Sequence, residues 1–146
     1  MDSIEKLNIL DIDNILNMQN NSGNNILSKE NILRDLEDKN YLYFVYKRNN
    51  KIIGYIAASM LFDHIDILSI LTDKNYLKLG IASKLLKYLI NYSSNLNIFD
   101  IFLEVRKSNI PAQNLYKKFD FNIISVRKNY YKDNNEDAYV LSNKKI

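Results

Sequence analysis

Glu104 is the residue whose setting most suggests chemistry. It lies near the carboxyl end of an apolar, strand-like run, where an ionised side chain costs free energy unless it is paired or has a use. One use is general base catalysis, in which the carboxylate takes a proton from an attacking nucleophile. The other interpretation is an ion pair with Arg106, which is two residues further on and therefore on the same face of a strand. The residues alone leave both interpretations open.

The segment from Tyr76 to Lys84 has the composition of an anion-binding turn. It lies between a predicted strand and a predicted helix and contains Gly80 followed by Ala82. The first amides of a helix have no partner within it, and small residues let a phosphate approach them closely. The turn therefore suits a pyrophosphate, although an ordinary strand-to-helix turn fits this stretch equally well. Lys78 and Lys84 either add positive charge or are ordinary solvated surface.

Three of the 11 tyrosines sit in informative places. Tyr116 lies on the inner stripe of a predicted helix, where a core aromatic is the ordinary role. Tyr130 and Tyr131 lie in the basic run from Val126 to Lys132, a pattern that can also stack on RNA. A nucleic-acid binder usually has a wider basic face, and here 20 Lys and Arg against 17 Asp and Glu give a net charge of only +3. We therefore expect no direct binding to nucleic acid.

Composition excludes several classes of protein. The chain has no Cys and one His, which excludes a disulfide framework, thiolate metal sites and a His-rich cluster, so no metal is expected. His64 itself is expected in a loop or on the surface. No run approaches the ~18 apolar residues of a membrane span, and residues 1–6 lack a signal-peptide pattern. We expect a cytoplasmic protein without a membrane partner, and the scarcity of Pro and Gly predicts one domain over residues 1–146.

Hydrophobic periodicity predicts the elements that must position these residues. The run around Glu104 is apolar on both faces, as expected of a central strand covered by helices on each side. Ser28 is a predicted N-cap, and Pro111 suits the first turn of a helix. The order predicts an α/β (α+β) fold, a mixed sheet with helices on both faces. The elements are strands at 4–7, 41–46, 51–61, 65–71, 98–105, 121–130 and 138–141, and helices at 12–19 (before a polar cluster at 20–25), 29–36, from 80 to 91–95, and at 111–119.

Three segments together resemble the RimI-type N-terminal acetyltransferases of the GNAT superfamily. The turn at Gly80 and Ala82 is similar to the family's acetyl-CoA pyrophosphate loop, Q/R-x-x-G-x-G/A, with Leu77 at the first defined position. Residues 103–116 look like the family's L-E-V-R-x-S-N-x-x-A-x-x-L-Y. Residues 126–138 resemble its ending, R-R-N-Y-Y followed by E-D-A.

One further position departs from the family pattern. Asp120 stands where the family usually has Gly before the second Phe. Asp tolerates a left-handed backbone better than most residues, so the same turn is open to this chain. The resemblance covers about the last half of the sequence.

The resemblance implies a GNAT fold with a six- to seven-stranded sheet and acetyl-CoA as co-substrate. Glu104 would be the general base and Tyr116 the proton donor to the departing thiolate. The favoured acceptor is the N-terminal α-amine of a protein, namely the N-terminal alanine of a small-subunit ribosomal protein. A small amine or a lysine, or a non-catalytic acetyl-CoA-binding module, are the alternatives. The implied coenzyme contacts are Ile70, Leu71, Thr72, Lys78, Leu79, Gly80, Ile81, Ala82, Ser83 and Asn109, and the implied peptide contacts are Arg127, Tyr130, Tyr131 and Asp137.

Overall fold

Seven strands form one mixed sheet in the computed structural model, which describes residues 1–23 and 26–144. The order along the chain is the predicted one, and the spatial order is β1-β2-β3-β4-β5-β7-β6. The strands are β1 (Asp2–Lys6), β2 (Tyr41–Arg48), β3 (Lys51–Leu61), β4 (His64–Thr72), β5 (Asp100–Arg106), β6 (Asn122–Tyr131) and β7 (Glu136–Ser142). The α-helices within the described ranges are α1 (Ile12–Ser22), α2 (Lys29–Leu36), α3 (Ile81–Asn95) and α4 (Ile110–Lys117).

Helices cover both faces of the sheet, as the patterning predicts. Alternate residues of β2 and β3 point to opposite sides. Phe44 and Ile56 pack in one buried cluster with the inner face of α3, whereas Val45 and Tyr55 pack in another with α1 and α2. None of the helices in the described ranges is long and apolar enough to span a bilayer.

The parallel pair β4 and β5 separates at its carboxyl end. Pairing runs from His64 opposite Asp100 to Ile67 opposite Leu103, although both strands continue beyond it. The register of β3 against β4 shifts at the same level, leaving Leu68 as an extra residue in β4. Such a bulge bends a strand and increases its local twist. The two strands therefore diverge, and a cleft opens between their ends.

Several local predictions are confirmed. The Ser28 hydroxyl caps α2 by accepting from the Asn31 amide at 3.1 Å. Pro111 lies in the first turn of α4. Asp120 has a φ of 66°, so it adopts the left-handed backbone that the family's glycine would. Helix α1 runs on to Ser22, and the last part of the polar cluster, residues 24–25, lies outside the described residues.

One prediction is wrong in part and another is wrong. His64 begins β4 and is not in a loop, but its side chain is 31% exposed, so the surface alternative holds. The strand at 98–105 begins only at Asp100, and helices do not cover both of its faces. Leu103 is buried on one side, but Phe102 and Glu104 are only partly buried on the other. Periodicity counts apolar residues and cannot tell a covered face from an open groove.

A buried polar network fastens the connection between α1 and α2 to the sheet. Gln19 is buried, and its amide donates to the Leu27 carbonyl and accepts from the Leu27 amide, both at 2.9 Å. The Tyr55 hydroxyl links Gln19 to the Ser69 hydroxyl, which is 2.9 Å away on β4. Because unpaired buried polar groups are costly, this network fixes residue 27 beside the cleft.

Candidate active site

Two adjoining cavities meet where β4 and β5 diverge. The first, which we call the inner cleft, has a volume of about 530 Å³ and lies among the ends of β4 and β5 and the start of α4. The second, the outer groove, has a volume of about 960 Å³ and runs over the open sheet face beside α2 and β6. Glu104 and Tyr131 line both cavities, together with Ile67, Leu68 and Leu103. Glu104 is therefore accessible from either side.

The start of α3 has the geometry of an anion site. Gly80 is its N-cap with a φ of 78°, and Lys78 in the same turn has a φ of 64°. The first bond that closes the helix runs from the Lys84 amide to the Gly80 carbonyl at 3.0 Å. The amides of residues 81–83, which include Ala82 and Ser83, precede that bond and point out of the helix end. Leu77 and Leu79 are exposed beside them, so residue 77 offers no polar side chain, and an anion held here would depend mainly on the main-chain donors.

Ile70 lines the inner cleft, and Leu71 and Thr72 continue β4 from it to the end of the strand. These residues pair with Ile56, Tyr55 and Gly54 of β3 on one edge. Their other edge lies beyond the last β4–β5 pair and is free to bond a ligand in the cleft. An extended ligand that adds to such an edge uses main-chain hydrogen bonds.

Gly54 is a residue of the site that the sequence analysis did not single out. A Cβ at this position would lie 2.8 Å from Cγ2 of Ile81, the first residue of α3, and 3.2 Å from the Leu71 carbonyl oxygen. Ile81 is buried and Leu71 is held in the sheet, so neither can yield easily. Gly54 therefore lets the start of α3 pack directly on β3 and β4. The only sequence signal is a glycine inside a strand, which indicates close approach by another element.

We expect Gly54→Ala to lower the free energy of unfolding by about 1–3 kcal/mol, the usual range for overpacking a core. The added methyl must push α3 outward, so the affinity for coenzyme A should fall as well. Chemical denaturation and titration calorimetry measure the two effects. Ile81→Ala removes the clashing methyl, so Gly54→Ala combined with Ile81→Ala should cost less than the sum of the two single changes. Strict additivity would contradict the clash.

The side chain of Glu104 contacts residues of β6 rather than a residue of its own strand, β5. Its side chain is 29% exposed, and Oε1 lies 3.5 Å from Nε of Arg127. The Tyr130 phenol interacts with the same carboxylate, and this interaction is the main reason that the pKa of Tyr130 is raised. The alternative that Glu104 pairs with Arg106 is wrong. An exposed ion pair of this kind contributes little free energy, so the carboxylate remains available for another use.

Arg106 instead ties the end of β5 to the turn between β6 and β7. Its guanidinium is 2.9 Å from Asp133 and 3.2 Å from Glu136, and it stacks over the Tyr131 ring at 3.9 Å from the centroid. Glu136 also accepts from the Ser108 amide at 2.7 Å. These contacts hold one wall of both cavities in place.

The acid dependence of stability should report on Glu136. Hydrogen bonds from Ser108, and then from Arg106 and Asn134, hold the pKa of Glu136 at about 2, below its ordinary 4.5. A lowered pKa in the folded state stabilises the protein above pH 4.5, and the contribution is lost as the pH falls toward 2. Glu136→Gln should therefore melt at a lower temperature than the wild type at neutral pH. The gap in Tm should narrow below pH 4.5, and a gap that is constant with pH would contradict the assignment.

Tyr116 lies under the inner cleft. It is 4% exposed, its ring centroid is 5.8 Å from that of Phe121, and burial raises the pKa of its phenol. Within residues 1–23 and 26–144 its hydroxyl has no hydrogen-bond partner, yet it is not a fully enclosed polar atom. The hydroxyl therefore faces the cleft as a protonated, unused donor. Asn109 also borders the cleft, and its side chain caps α4 by accepting from the Ala112 amide at 3.2 Å.

The predicted peptide contacts divide into two groups. Arg127, Tyr130 and Tyr131 all line the outer groove, and the two tyrosine rings meet edge-on at 5.1 Å. Asp137 lines neither cavity, because its carboxylate accepts from the Asn129 amide within the β6–β7 hairpin. No group of metal-ligating side chains comes together within the described ranges.

Comparisons with known proteins agree with this architecture. A model of the acetyltransferase (GNAT) family matches residues 9–121. The chain is 31% identical over 108 residues to the ribosomal protein bS18-alanine N-acetyltransferase of Escherichia coli, a match that covers 73% of each protein. The crystal structure of the Escherichia coli ribosomal-protein-S18-alanine N-acetyltransferase superposes with a TM-score of 0.88 at 26% identity, over 97% of this chain and 92% of that one. An Arabidopsis thaliana protein solved with acetyl-CoA shares the fold, with a TM-score of 0.85 at 18% identity over 97% of each chain.

Proposed function

Because the chain belongs to the GNAT acetyltransferase family, we propose that it transfers the acetyl group of acetyl-CoA to the N-terminal α-amine of a protein. The observation that carries the proposal is the position of Glu104, whose carboxylate lines both the inner cleft and the outer groove. A donor in one cavity and an acceptor in the other would meet at this side chain.

The residues around the inner cleft fit acetyl-CoA. The free amides of residues 81–83 suit a diphosphate, since a helix start offers aligned N–H donors and partial positive charge. The open edge of Ile70, Leu71 and Thr72 suits the amide groups of a pantetheine arm. Lys78, Leu79 and Gly80 would surround the diphosphate, and Asn109 would border the arm. The cleft would place the thioester beside Tyr116 and Glu104.

Glu104 takes a proton from the incoming amine, directly or through water, and the neutral amine then attacks the thioester carbonyl. An N-terminal amine has an ordinary pKa of about 7.7–8.0 against about 10.4 for lysine, so it gives up its proton at a much lower cost. Main-chain donors near Leu71 stabilise the charge that develops on the carbonyl oxygen. Tyr116 then gives its proton to the departing thiolate.

The outer groove would hold the first residues of the acceptor. Tyr130 and Tyr131 offer broad contact at a low cost in side-chain entropy, and Arg127 borders them. We propose an N-terminal alanine of a small-subunit ribosomal protein as the acceptor. The support is the similarity to proteins named for that reaction on bS18, at 31% identity in Escherichia coli.

The proposal also includes the number of domains and the cellular compartment. All seven strands belong to one sheet, which supports a single acetyltransferase domain over residues 1–146. The absence of Cys suits a reducing compartment, and we place the reaction in the cytoplasm.

The test is a peptide panel incubated with acetyl-CoA and read by mass spectrometry. The peptides differ in their first two residues, and each has a twin whose α-amine is blocked but which retains a lysine. We expect a mass gain of one acetyl group only on free α-amines, and most rapidly on peptides that begin with alanine. Equal acetylation of the blocked twins would show a lysine acetyltransferase instead. Coenzyme binding without turnover on any amine would show a non-catalytic module.

A further inference from the structure

We propose that Asp137 is a positioning residue for the reaction, because its carboxylate holds a bulge in β6 that places Tyr130 and Tyr131 together in the outer groove beside Glu104. The proposal rests on the proposed function, since it concerns the acceptor side of the same site. Asp137 itself lines neither cavity and acts through the residues opposite it in the hairpin.

The bulge lies in the pairing of β6 with β7. Arg127 lies opposite Ala138, and Tyr131 lies opposite Glu136. Three residues of β6, 128–130, therefore lie opposite a single residue of β7, Asp137. The middle one, Asn129, has a φ of 54°, in the left-handed region that non-glycine residues adopt only at a cost. A segment of this kind persists only where neighbouring contacts hold it.

Asp137 supplies those contacts from both its side chain and its main chain. Its Oδ1 accepts from the Asn129 amide at 2.8 Å, which satisfies the donor at the strained residue. Its carbonyl oxygen accepts from the Lys107 amide at 3.1 Å, just past the end of β5. The residue thus joins the bulge to the strand that carries Glu104.

The bulge has a direct consequence for the tyrosines. Successive side chains of a regular strand point to opposite faces, so Tyr130 and Tyr131 would normally be separated by the sheet. Here both line the outer groove, as Glu104 does, with their rings 5.1 Å apart. Without the bulge, one of the two rings would leave the groove.

The experiment compares Asp137→Ala with Asp137→Asn. Asn keeps an oxygen acceptor at the same place, whereas Ala removes it. We expect Asp137→Ala to lower kcat/KM for the best peptide by about 10- to 100-fold, the scale of loss that follows small misplacements in a site. Asp137→Asn should restore kcat/KM to within about threefold of the wild type. The affinity for coenzyme A should change much less than kcat/KM in both variants, because the diphosphate would bind at the start of α3, which packs on β3.

A matched control is Asp38→Ala. The Asp38 carboxylate also accepts from a main-chain amide in a turn, that of Asn40 at 2.8 Å, but it lines neither cavity. Its kcat/KM should equal that of the wild type. Loss of the same size in Asp38→Ala would assign the effect to general stability and overturn the proposal.

Ring contacts observed by NMR separate this proposal from the proposed function. Through-space signals between Tyr130 and Tyr131 should be present in the wild type and in Asp137→Asn and absent in Asp137→Ala. Persistence of the contact in Asp137→Ala would overturn the proposal even if no peptide were a substrate. Loss of the contact with unchanged kcat/KM would also overturn it. If the wild type acetylates no α-amine, the proposed function fails on its own.

Discussion

Replacing Glu104 with glutamine is expected to lower kcat for acetyl transfer by about 10²- to 10⁴-fold, the usual contribution of a general base. Glutamine has nearly the same shape and keeps one carbonyl oxygen as a hydrogen-bond acceptor. It cannot take a proton from the amine at any accessible pH. Steady-state rates with a saturating peptide and saturating acetyl-CoA measure the effect.

The accompanying changes distinguish a base from a structural residue. The pair with Arg127 is partly exposed at 3.5 Å, so its loss in Glu104→Gln should leave the melting temperature nearly unchanged. Coenzyme affinity should also be unchanged. Glu30→Gln alters an exposed carboxylate in the first turn of α2 and should have the kcat of the wild type. A wild-type kcat in Glu104→Gln would remove Glu104 from the mechanism.

Features set by short stretches of chain could be predicted from the sequence. The Ser28 cap, the helix start at Gly80 and the left-handed turn at Asp120 each depend on a few neighbouring residues, and all three are present. The chain order of strands and helices is also local, because each element shows its own period. The number of strands in the sheet, seven, agrees with the six to seven that the family resemblance implied.

Features set by pairing between distant segments could not be predicted. Arg127 contacts Glu104 across β7, which lies between β6 and β5 in the sheet, and no spacing within residues 103–106 reveals this contact. Arg106 was the natural partner by sequence distance, but the turn between β6 and β7 offers it two carboxylates. A periodic pattern gives the face of a side chain but not the register of its neighbours.

The open face of β5 is also set by how distant segments pair, and it could not be predicted from the sequence. Phe102 is apolar and predicts a covered face, yet it borders the outer groove. The bulge at Leu68 and the early end of β4–β5 pairing create that opening, and both are properties of the backbone rather than of side-chain type. Gly54 could not be predicted either, because its role depends on the atoms of Ile81 and Leu71 that a side chain at this position would meet.

Replacing Tyr116 with phenylalanine is expected to lower kcat by about 10²-fold, because the departing thiolate would lose its proton donor. The change removes one oxygen and leaves the ring in its contact with Phe121. Burial raises the pKa of the phenol, so it stays protonated through the whole range in which the amine is titrated. Even the ordinary pKa of a phenol, about 10, lies above the range from about pH 7 to 9. The loss of rate in Tyr116→Phe should therefore be the same at every pH in that range.

Stability and leaving-group dependence separate proton donation by Tyr116 from packing. Its hydroxyl has no partner among residues 1–23 and 26–144, so Tyr116→Phe should not lower the melting temperature. A thioester with a more acidic thiol needs less help from a proton donor, and its rate should fall less in the variant. Tyr92→Phe, which removes a hydroxyl from a ring packed on Phe44, should keep the wild-type kcat. If Tyr116→Phe loses equal rate with every thioester, the hydroxyl acts before the carbon–sulfur bond breaks and its assignment as proton donor is wrong.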